Sequence, residues 1–123
     1  MRIVNKPWGE EHWIELNDRY CYKRIVINKG YRTSFQYHEK KLETNLLVYG
    51  SLRLTLENDN GVVEERDLVV GDSFTVSPMK KHRMEALTNM EMLEVSTPEV
   101  DDVVRIEDDT NRPDGRIDGE HSV

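Results

Sequence analysis

The chain has 123 residues, enough for one domain with a single core, and no apolar run is long enough for a membrane span or a signal-peptide core, so we expect no membrane partner. The formal net charge is −7, and residues 99–123 hold nine acids against three bases, which argues against a nucleic-acid partner because acidic segments repel phosphate backbones. The lone cysteine, Cys21, excludes an intramolecular disulfide and favours a cytoplasmic protein.

Short β-rich runs separated by turn residues follow one another along the chain. Leu52–Leu56 alternates strictly between apolar and polar residues, which places three leucines on one face of a strand. The Asn60-Gly61 pair that follows is typical of a hairpin turn. Strands are predicted over residues 22–27, 33–38, 45–49, 52–56, 62–63, 68–70, 74–76 and 90–95, and no stretch carries a helical stripe. The pattern predicts an all-β domain, either a sandwich or a small barrel.

Two stretches carry side chains that suit a metal ion. Gln36 and His38 are two residues apart on a predicted strand and therefore project to the same face. Glu43 lies across a turn and can return to that face on the next strand, while His82 begins a later strand. Two imidazoles, a carboxylate and an amide oxygen form a mixed nitrogen and oxygen set, which suits one divalent ion of Zn, Fe, Mn, Co or Ni.

The spacing of these residues resembles the two motifs of the cupin family. The first motif is matched by Gly30, Gln36, His38, Glu43 and Gly50, with Gln36 in place of the family's first histidine. In the second motif His82 follows Gly71 by eleven residues, and Met79 replaces a glycine. The resemblance implies a single-domain cupin fold, the double-stranded β-helix or jelly-roll barrel, with the metal ligands inside the barrel.

A closer resemblance, to the C-terminal cupin domain of type II mannose-6-phosphate isomerases, covers residues 6–112. It rests on patches at Lys6-Pro7-Trp8-Gly9, Ser34-Phe35-Gln36-Tyr37-His38, Lys81-His82-Arg83, Leu93-Glu94-Val95 and Asp101–Asp108, followed by Arg112. It implies a metal-dependent aldose–ketose isomerase for a small anionic sugar, mannose 6-phosphate or fructose 6-phosphate. It also implies a cupin domain over residues 1–112. Residues 113–123 are poor in apolar side chains, so we expect them to form a flexible tail.

The resemblance also implies roles for individual residues. The isomerisation moves a proton between C2 and C1 of the sugar, and Arg105 is expected beside the negative charge that develops. Glu43 is a candidate for a catalytic role as well as for metal binding. The residues expected to bind the substrate and its phosphate are Lys41, Lys81, Arg83 and Arg112. We expect a homodimer, because cupins often pair through sheet edges.

Two other classes of function stay open. Asn45 stands where the family has an aromatic residue, and Thr110-Asn111 replaces its Tyr-Gly, which favours a non-catalytic cupin that binds a sugar or a sugar phosphate. The second alternative is another metal-dependent cupin enzyme, an epimerase or a dioxygenase. Gln36 weakens the dioxygenase interpretation, since such enzymes usually hold iron with three histidines and a glutamate.

Overall fold

All regular structure in the computed structural model, which describes residues 1–109 and the backbone of Gly115 and Arg116, is β-strand. The strands are β1 (Arg2–Lys6), β2 (Gly9–Leu16), β3 (Cys21–Ile27), β4 (Phe35–Tyr37), β5 (Glu43–Tyr49), β6 (Leu52–Glu57), β7 (Val63–Leu68), β8 (Ser73–Val76), β9 (His82–Ala86), β10 (Met90–Ser96), β11 (Val104–Glu107) and β12 (Gly115–Arg116). The all-β fold is therefore confirmed. The described residues contain no helix that could cross a membrane.

The strands form two antiparallel sheets that pack face to face. One sheet has the order β1-β2-β3-β10-β5-β8 and the other β12-β11-β4-β9-β6-β7. Both sheets contribute to one apolar core, which contains Ile25, Ile27, Leu47, Met90 and Met92 from the first sheet and Leu52, Leu54, Met84 and Ala86 from the second. This arrangement is a jelly-roll barrel, in which the inward side chains of both sheets meet.

The predicted strand at residues 68–70 is wrong in its last two positions. β7 ends at Leu68, and Val69 and Val70 are exposed. The Asp72 carboxylate accepts a hydrogen bond from the Val69 backbone N–H at 3.0 Å, and Gly71 has a φ of 98°, so this segment is a turn. The local turn chemistry outweighs the preference of valine for strands.

Two N-terminal strands were not predicted from the sequence. β1 and β2 pair with each other, and β2 pairs with β3, so they extend the first sheet by two strands. In β2 only Glu11 and Trp13 are buried, and the other side chains are at least partly exposed. A strand that buries one carboxylate and one aromatic ring lacks the apolar alternation by which strands are recognised.

The inward positions of the central strands change from polar to apolar along the barrel. In β5 the buried side chains are Glu43, Asn45 and then Leu47, because alternate residues point inward. The antiparallel β10 buries Met90 and Met92 before Glu94 and Ser96. β3 runs from Cys21 and Lys23 to Ile25 and Ile27. The registers align these gradients, so one end of the barrel interior is apolar and the other is polar.

Candidate metal centre and polar cavity

Three side chains at the polar end of the barrel bring their ligand atoms together. His38 lies directly after β4, Glu43 begins β5 and His82 begins β9, and all three are buried. Oε1 of Glu43 lies 3.1 Å from Nε2 of His38 and 3.7 Å from Nε2 of His82. The three ligand atoms lie within 4.8 Å of one another. The turn between β4 and β5 thus returns Glu43 to the same interior that His38 faces.

Backbone carbonyls orient both imidazole rings toward Glu43. Nδ1 of His38 is 2.5 Å from the carbonyl oxygen of Asp102, and Nδ1 of His82 is 3.0 Å from that of Lys80. A carbonyl oxygen only accepts, so each Nδ1 carries the proton and each Nε2 can present a lone pair to a metal. Nε2 of His82 is buried and makes no hydrogen bond within the part of the chain described.

The separations of Glu43 from both histidines come close to those in a divalent metal site. Ligand atoms about 2.1 Å from one ion at about 90–110° to each other are about 3.0–3.4 Å apart. The separation of 3.1 Å between His38 and Glu43 lies in that range, and the 3.7 Å separation to His82 exceeds it by a few tenths of an ångström. The unsatisfied Nε2 of His82 is an acceptor that a metal would satisfy. His38, Glu43 and His82 therefore suit Zn²⁺ or a similar ion.

Neighbouring side chains hold Glu43 and Gln36, both of which are predicted ligands. Nδ2 of Asn45 donates to Oε2 of Glu43 at 2.9 Å, which leaves Oε1 facing Nε2 of both histidines. This fixation suits a metal ligand better than a base that must move a proton. Gln36 lines the cavity, but its Oε1 accepts a hydrogen bond from the Ser34 hydroxyl at 2.5 Å. One lone pair of Gln36 is therefore used within the protein.

Lys41 lies between two buried carboxylates. Its Nζ is 3.2 Å from Oε2 of Glu94 and 4.0 Å from Oε1 of Glu43. Burial alone would lower the pKa of Lys41, but the charges of Glu94 and Glu43 outweigh burial and raise it. Lys41 is therefore a fixed cation beside the candidate ligands His38, Glu43 and His82.

The buried acids and His82 respond differently to this environment. Burial opposes the charge on Glu43, yet the neighbouring charge of Lys41 holds the pKa of Glu43 well below its usual range. Burial, followed by the charge of Glu43, raises the pKa of Glu94. Burial lowers the pKa of His82 to about 4, which keeps its imidazole neutral as a ligand requires. Two carboxylates in one pocket thus have pKa values shifted in opposite directions.

A cavity of about 50 Å³ opens beside the ligand cluster. Its charged lining residues are Lys6, Lys23, Lys41, Arg105, Glu11, Glu43 and Glu94. The volume holds one or two water-sized groups, so a larger ligand must extend through its mouth. Four cations against three acids leave the lining positive before any metal is counted.

Arg105, which the resemblance predicts beside the reacting oxygens of a sugar, is one of the cavity residues. It is buried, lines the cavity, and lies opposite Gln36 in the register of β11 and β4. Gln36 in turn lies opposite His82 in the register of β4 and β9. Residues directly opposite each other share a face of the sheet. Arg105, Gln36 and His82 therefore form a row across the second sheet.

Most of the other predicted substrate-binding residues are not brought to the cavity. Arg83 follows His82 in β9 and its Nε donates to the carbonyl oxygen of Thr33 at 2.8 Å, with Glu107 and Asp109 near its other nitrogens. Lys81 is exposed and does not line the cavity. Of the described residues predicted to bind the substrate and its phosphate, only Lys41 lines the cavity. Arg112 and the predicted tail lie outside the described residues, apart from the backbone of 115–116, which pairs with β11.

Several cavity residues had no predicted role. Lys23 is 1% exposed, with its Nζ 3.7 Å from Oε2 of Glu11 and 4.1 Å from the ring centroid of Trp13. Glu94 lies opposite both Lys23 and Asn45 in the registers of β10. Strand alternation could have placed both residues inside the barrel. Lys23 is two residues before Ile25 and Glu94 is two residues after Met92, and residues two apart on a strand share a face.

Known proteins resemble this chain in sequence over most of its length. The family model described as mannose-6-phosphate isomerase C-terminal matches residues 1–108. The mannose-1-phosphate guanylyltransferase of Escherichia coli K12 is 30% identical over 107 residues, which are 87% of this chain and 22% of that protein. The xanthan biosynthesis protein XanB of Xanthomonas campestris pv. campestris is 30% identical over 117 residues, or 90% and 24%. The chain thus spans less than a quarter of the length of these relatives.

Solved structures resemble the fold. Oxalate decarboxylase from Bacillus subtilis has a TM-score of 0.76 at 18% identity, over 85% of this chain and 30% of that one. KdgF from Halomonas sp. has a TM-score of 0.72 at 19% identity, over 83% and 92%. An RmlC-like cupin from Shewanella frigidimarina has a TM-score of 0.69 at 20% identity, over 82% and 86%. With the match of the family model, these similarities show that the chain is a cupin and belongs to the family of the mannose-6-phosphate isomerase C-terminal domain.

Proposed function

We propose that this chain is a metal-dependent aldose–ketose isomerase that acts on a sugar phosphate, with mannose 6-phosphate and fructose 6-phosphate as the substrate pair. The observation that carries the proposal is the cluster of His38, Glu43 and His82 beside a buried carboxylate and the cationic lining of the cavity. The family match supports the choice of substrate. The cytoplasmic location, the homodimer and the absence of membrane and nucleic-acid partners stay predictions.

The residues present divide the work of such a reaction. His38, Glu43 and His82 would hold the ion, which when bound supplies Lewis acidity toward the oxygens of the sugar. Arg105 stabilises the negative charge that develops on those oxygens when the C2 proton leaves. Its burial strengthens this interaction, because there is little water around it to screen the charge.

Glu94 is the group that we propose to move the proton. It lines the cavity, and its carboxylate is not among the metal ligands. Its raised pKa, caused by burial and by the charge of Glu43, brings it closer to the neutral pH at which a general acid or base works best. Glu43, which the sequence suggested for catalysis as well, is better suited to metal binding because Asn45 holds one of its oxygens and the other faces both histidines.

The cationic lining supports an anionic substrate. Lys6, Lys23, Lys41 and Arg105 line the cavity, whereas Lys81 and Arg83 do not. We propose that Lys6, which lines the cavity and is partly exposed, takes over the phosphate-binding role predicted for Lys81 and Arg83. The small volume of the cavity would leave the phosphate group at its mouth.

The second candidate is a non-catalytic cupin that binds a sugar phosphate. Asn45, which differs from the family's aromatic residue, is fully buried and uses its amide to hold Glu43. The cavity beside it is small, which favours recognition of one end of a ligand. Such a protein would bind the same substrates and metal without moving a proton.

The first test is metal content. Elemental analysis of protein purified without chelators is expected to find close to one divalent metal per chain. The double variant His38→Ala plus His82→Ala is expected to lose it, while Arg53→Ala, an exposed residue paired with Asp67, serves as a matched control. Full metal occupancy in the double variant would refute the site.

The second test separates an isomerase from a binding protein. Metal-loaded protein is incubated with mannose 6-phosphate in deuterated water, and interconversion and incorporation of deuterium at C1 or C2 are followed by NMR. An isomerase gives both, and Glu94→Gln is expected to abolish them while leaving metal content unchanged. Binding of the sugar phosphate by calorimetry with neither interconversion nor deuterium incorporation would favour the non-catalytic candidate.

A further inference from the structure

One carboxylate far along the chain holds the loop that carries the metal ligands. Asp102 lies between β10 and β11, in the segment before Val103. Its Oδ1 accepts a hydrogen bond from the backbone N–H of Glu39 at 3.1 Å, and its Oδ2 accepts from those of Lys40 and Lys41 at 2.6 and 3.0 Å. Three consecutive amides of the loop between β4 and β5 thus bind one side chain.

The same residue orients His38. The backbone carbonyl oxygen of Asp102 lies 2.5 Å from Nδ1 of that ring, so the ring proton resides on Nδ1 and Nε2 faces Glu43. The other imidazole uses a different device, because Nδ1 of His82 binds the carbonyl of Lys80 only two residues away. The orientation of His38 therefore depends on a segment 64 residues later in the chain, and that of His82 does not.

The loop that Asp102 holds connects two metal ligands. His38 precedes the three amides and Glu43 follows them. Fixing the backbone of one residue costs about 1–2 kcal/mol of conformational entropy. If the loop is ordered before the metal binds, the free energy of metal binding does not have to offset this cost. The segment around Asp102 is itself anchored, because Val103 is buried and lines the cavity.

We propose that Asp102 is a positioning residue, which preorganises His38 and Glu43 for the metal by clamping the loop between them. The inference rests on the metal site of the proposed function. It extends that site to a segment that supplies no ligand. Removing the carboxylate should make the loop more mobile. It should also weaken the hydrogen bond between the Asp102 carbonyl and His38.

The test compares Asp102→Ala and Asp102→Asn with Asp72→Ala. Asp72 is a matched control, because its carboxylate also accepts a backbone N–H, that of Val69, but in the turn between β7 and β8. Metal affinity is measured by competition with a chromophoric chelator, using Zn²⁺ as the probe. Asp102→Ala is expected to weaken Zn²⁺ binding about 10–100-fold, Asp102→Asn less, and Asp72→Ala by less than twofold.

Hydrogen exchange in the metal-free protein supplies a second measurement. Asp102→Ala is expected to accelerate exchange of the amides of Glu39, Lys40 and Lys41 about tenfold and to leave that of Val69 unchanged, whereas Asp72→Ala should do the reverse. A circular-dichroism melting curve for each variant shows that it is folded. Asp102→Asn is the variant to use if Asp102→Ala does not fold.

The outcomes separate this proposal from the proposed function. If the wild-type protein binds no Zn²⁺, the metal site fails and the positioning role fails with it. If the wild-type protein binds Zn²⁺ and the Asp102 variants bind it as tightly, only the positioning role is overturned. Weakened binding with accelerated exchange confined to the loop of residues 39–41 supports the proposal, whether or not the protein isomerises a sugar.

Discussion

Replacing Lys41 by methionine tests the electrostatics of the cavity. Lys41 is 5% exposed, and its Nζ lies 3.2 Å from Glu94 and 4.0 Å from Glu43. Lys41→Met keeps the length of the side chain and removes its charge. The change leaves two buried carboxylates next to each other without the cation between them. Burial then disfavours the charged form of both groups.

The size of the effect follows from the cost of neutralising one carboxylate. Removing one partner of a buried ion pair typically costs about 3–5 kcal/mol. Protonating a carboxyl group of ordinary pKa near pH 7 costs about 3.5 kcal/mol, which sets an upper limit on what one stranded carboxylate can cost. We therefore expect Lys41→Met to lower the free energy of unfolding of the metal-free protein by about 3 kcal/mol at neutral pH.

The pH dependence has a definite sign. In the variant the folded-state pKa of a stranded carboxyl group lies above its unfolded value. The destabilisation caused by this group is therefore largest at pH values above both pKa values, and it shrinks as the pH falls. In the wild-type protein the raised pKa of Lys41 means that its contribution is present at neutral pH and is lost only when the pH rises through the folded-state pKa. The difference between the two proteins should therefore decrease on acidification by up to about 1.4 kcal/mol per pH unit.

Equilibrium urea unfolding in the presence of a chelator measures the effect. Lys40→Met is the matched control, because this neighbouring lysine is exposed and should change stability by less than about 0.5 kcal/mol. Adding Glu94→Gln to Lys41→Met removes one of the stranded charges and should restore more than half of the lost stability. A loss below about 1 kcal/mol, the scale of an exposed ion pair, or no recovery in the double variant would refute the reasoning.

Three further predictions concern other parts of the fold. Burial lowers the pKa of His82 to about 4, whereas its unfolded pKa is near 6.5. The free energy of unfolding of the metal-free protein should therefore fall by about 3 kcal/mol as the pH drops from above 6.5 toward 4. His82→Gln should remove this pH dependence from the acid unfolding curve. Met79 has a φ of 71°, so Met79→Gly should leave stability unchanged or raise it by up to about 1 kcal/mol in a thermal melt, against the usual loss. Gly9→Ala should destabilise far more than Gly30→Ala, since the added Cβ at Gly9 would lie 2.0 Å from the Val26 carbonyl oxygen and that at Gly30 meets nothing within 4 Å.

The fold was predictable where apolar residues alternate and turn residues interrupt them. Leu52–Leu56 has the predicted alternation, with Leu52 and Leu54 buried and Leu56 partly so. β2 was not recognised, because its inward positions are Glu11 and Trp13 and its burial depends on pairing with β3. A strand whose inner face is polar is recognisable only when the cavity that it lines is known.

The candidate ligands could be picked out from the sequence because the motif fixes their spacing. His38 and Glu43 flank one loop, and His82 begins β9, as the motif requires. The residues that orient them could not be found in this way. The Asp102 contacts join positions about 60 residues apart, and Asn45 appeared only as a departure from the family pattern before the structure paired its amide with Glu43.

The absence of Arg83 from the lining of the cavity has a simple geometric cause. A cation next to a ligand in the sequence of a strand points to the opposite face of the sheet, as Arg83 does beside His82. The cavity instead draws its cations from alternate positions and from other strands. Lys23 is aligned with Glu94 across β3 and β10, and Arg105 is aligned with Gln36 across β11 and β4. In this barrel the strand registers therefore decide which cations line the cavity, and clusters of basic residues along the chain are a poor guide to them.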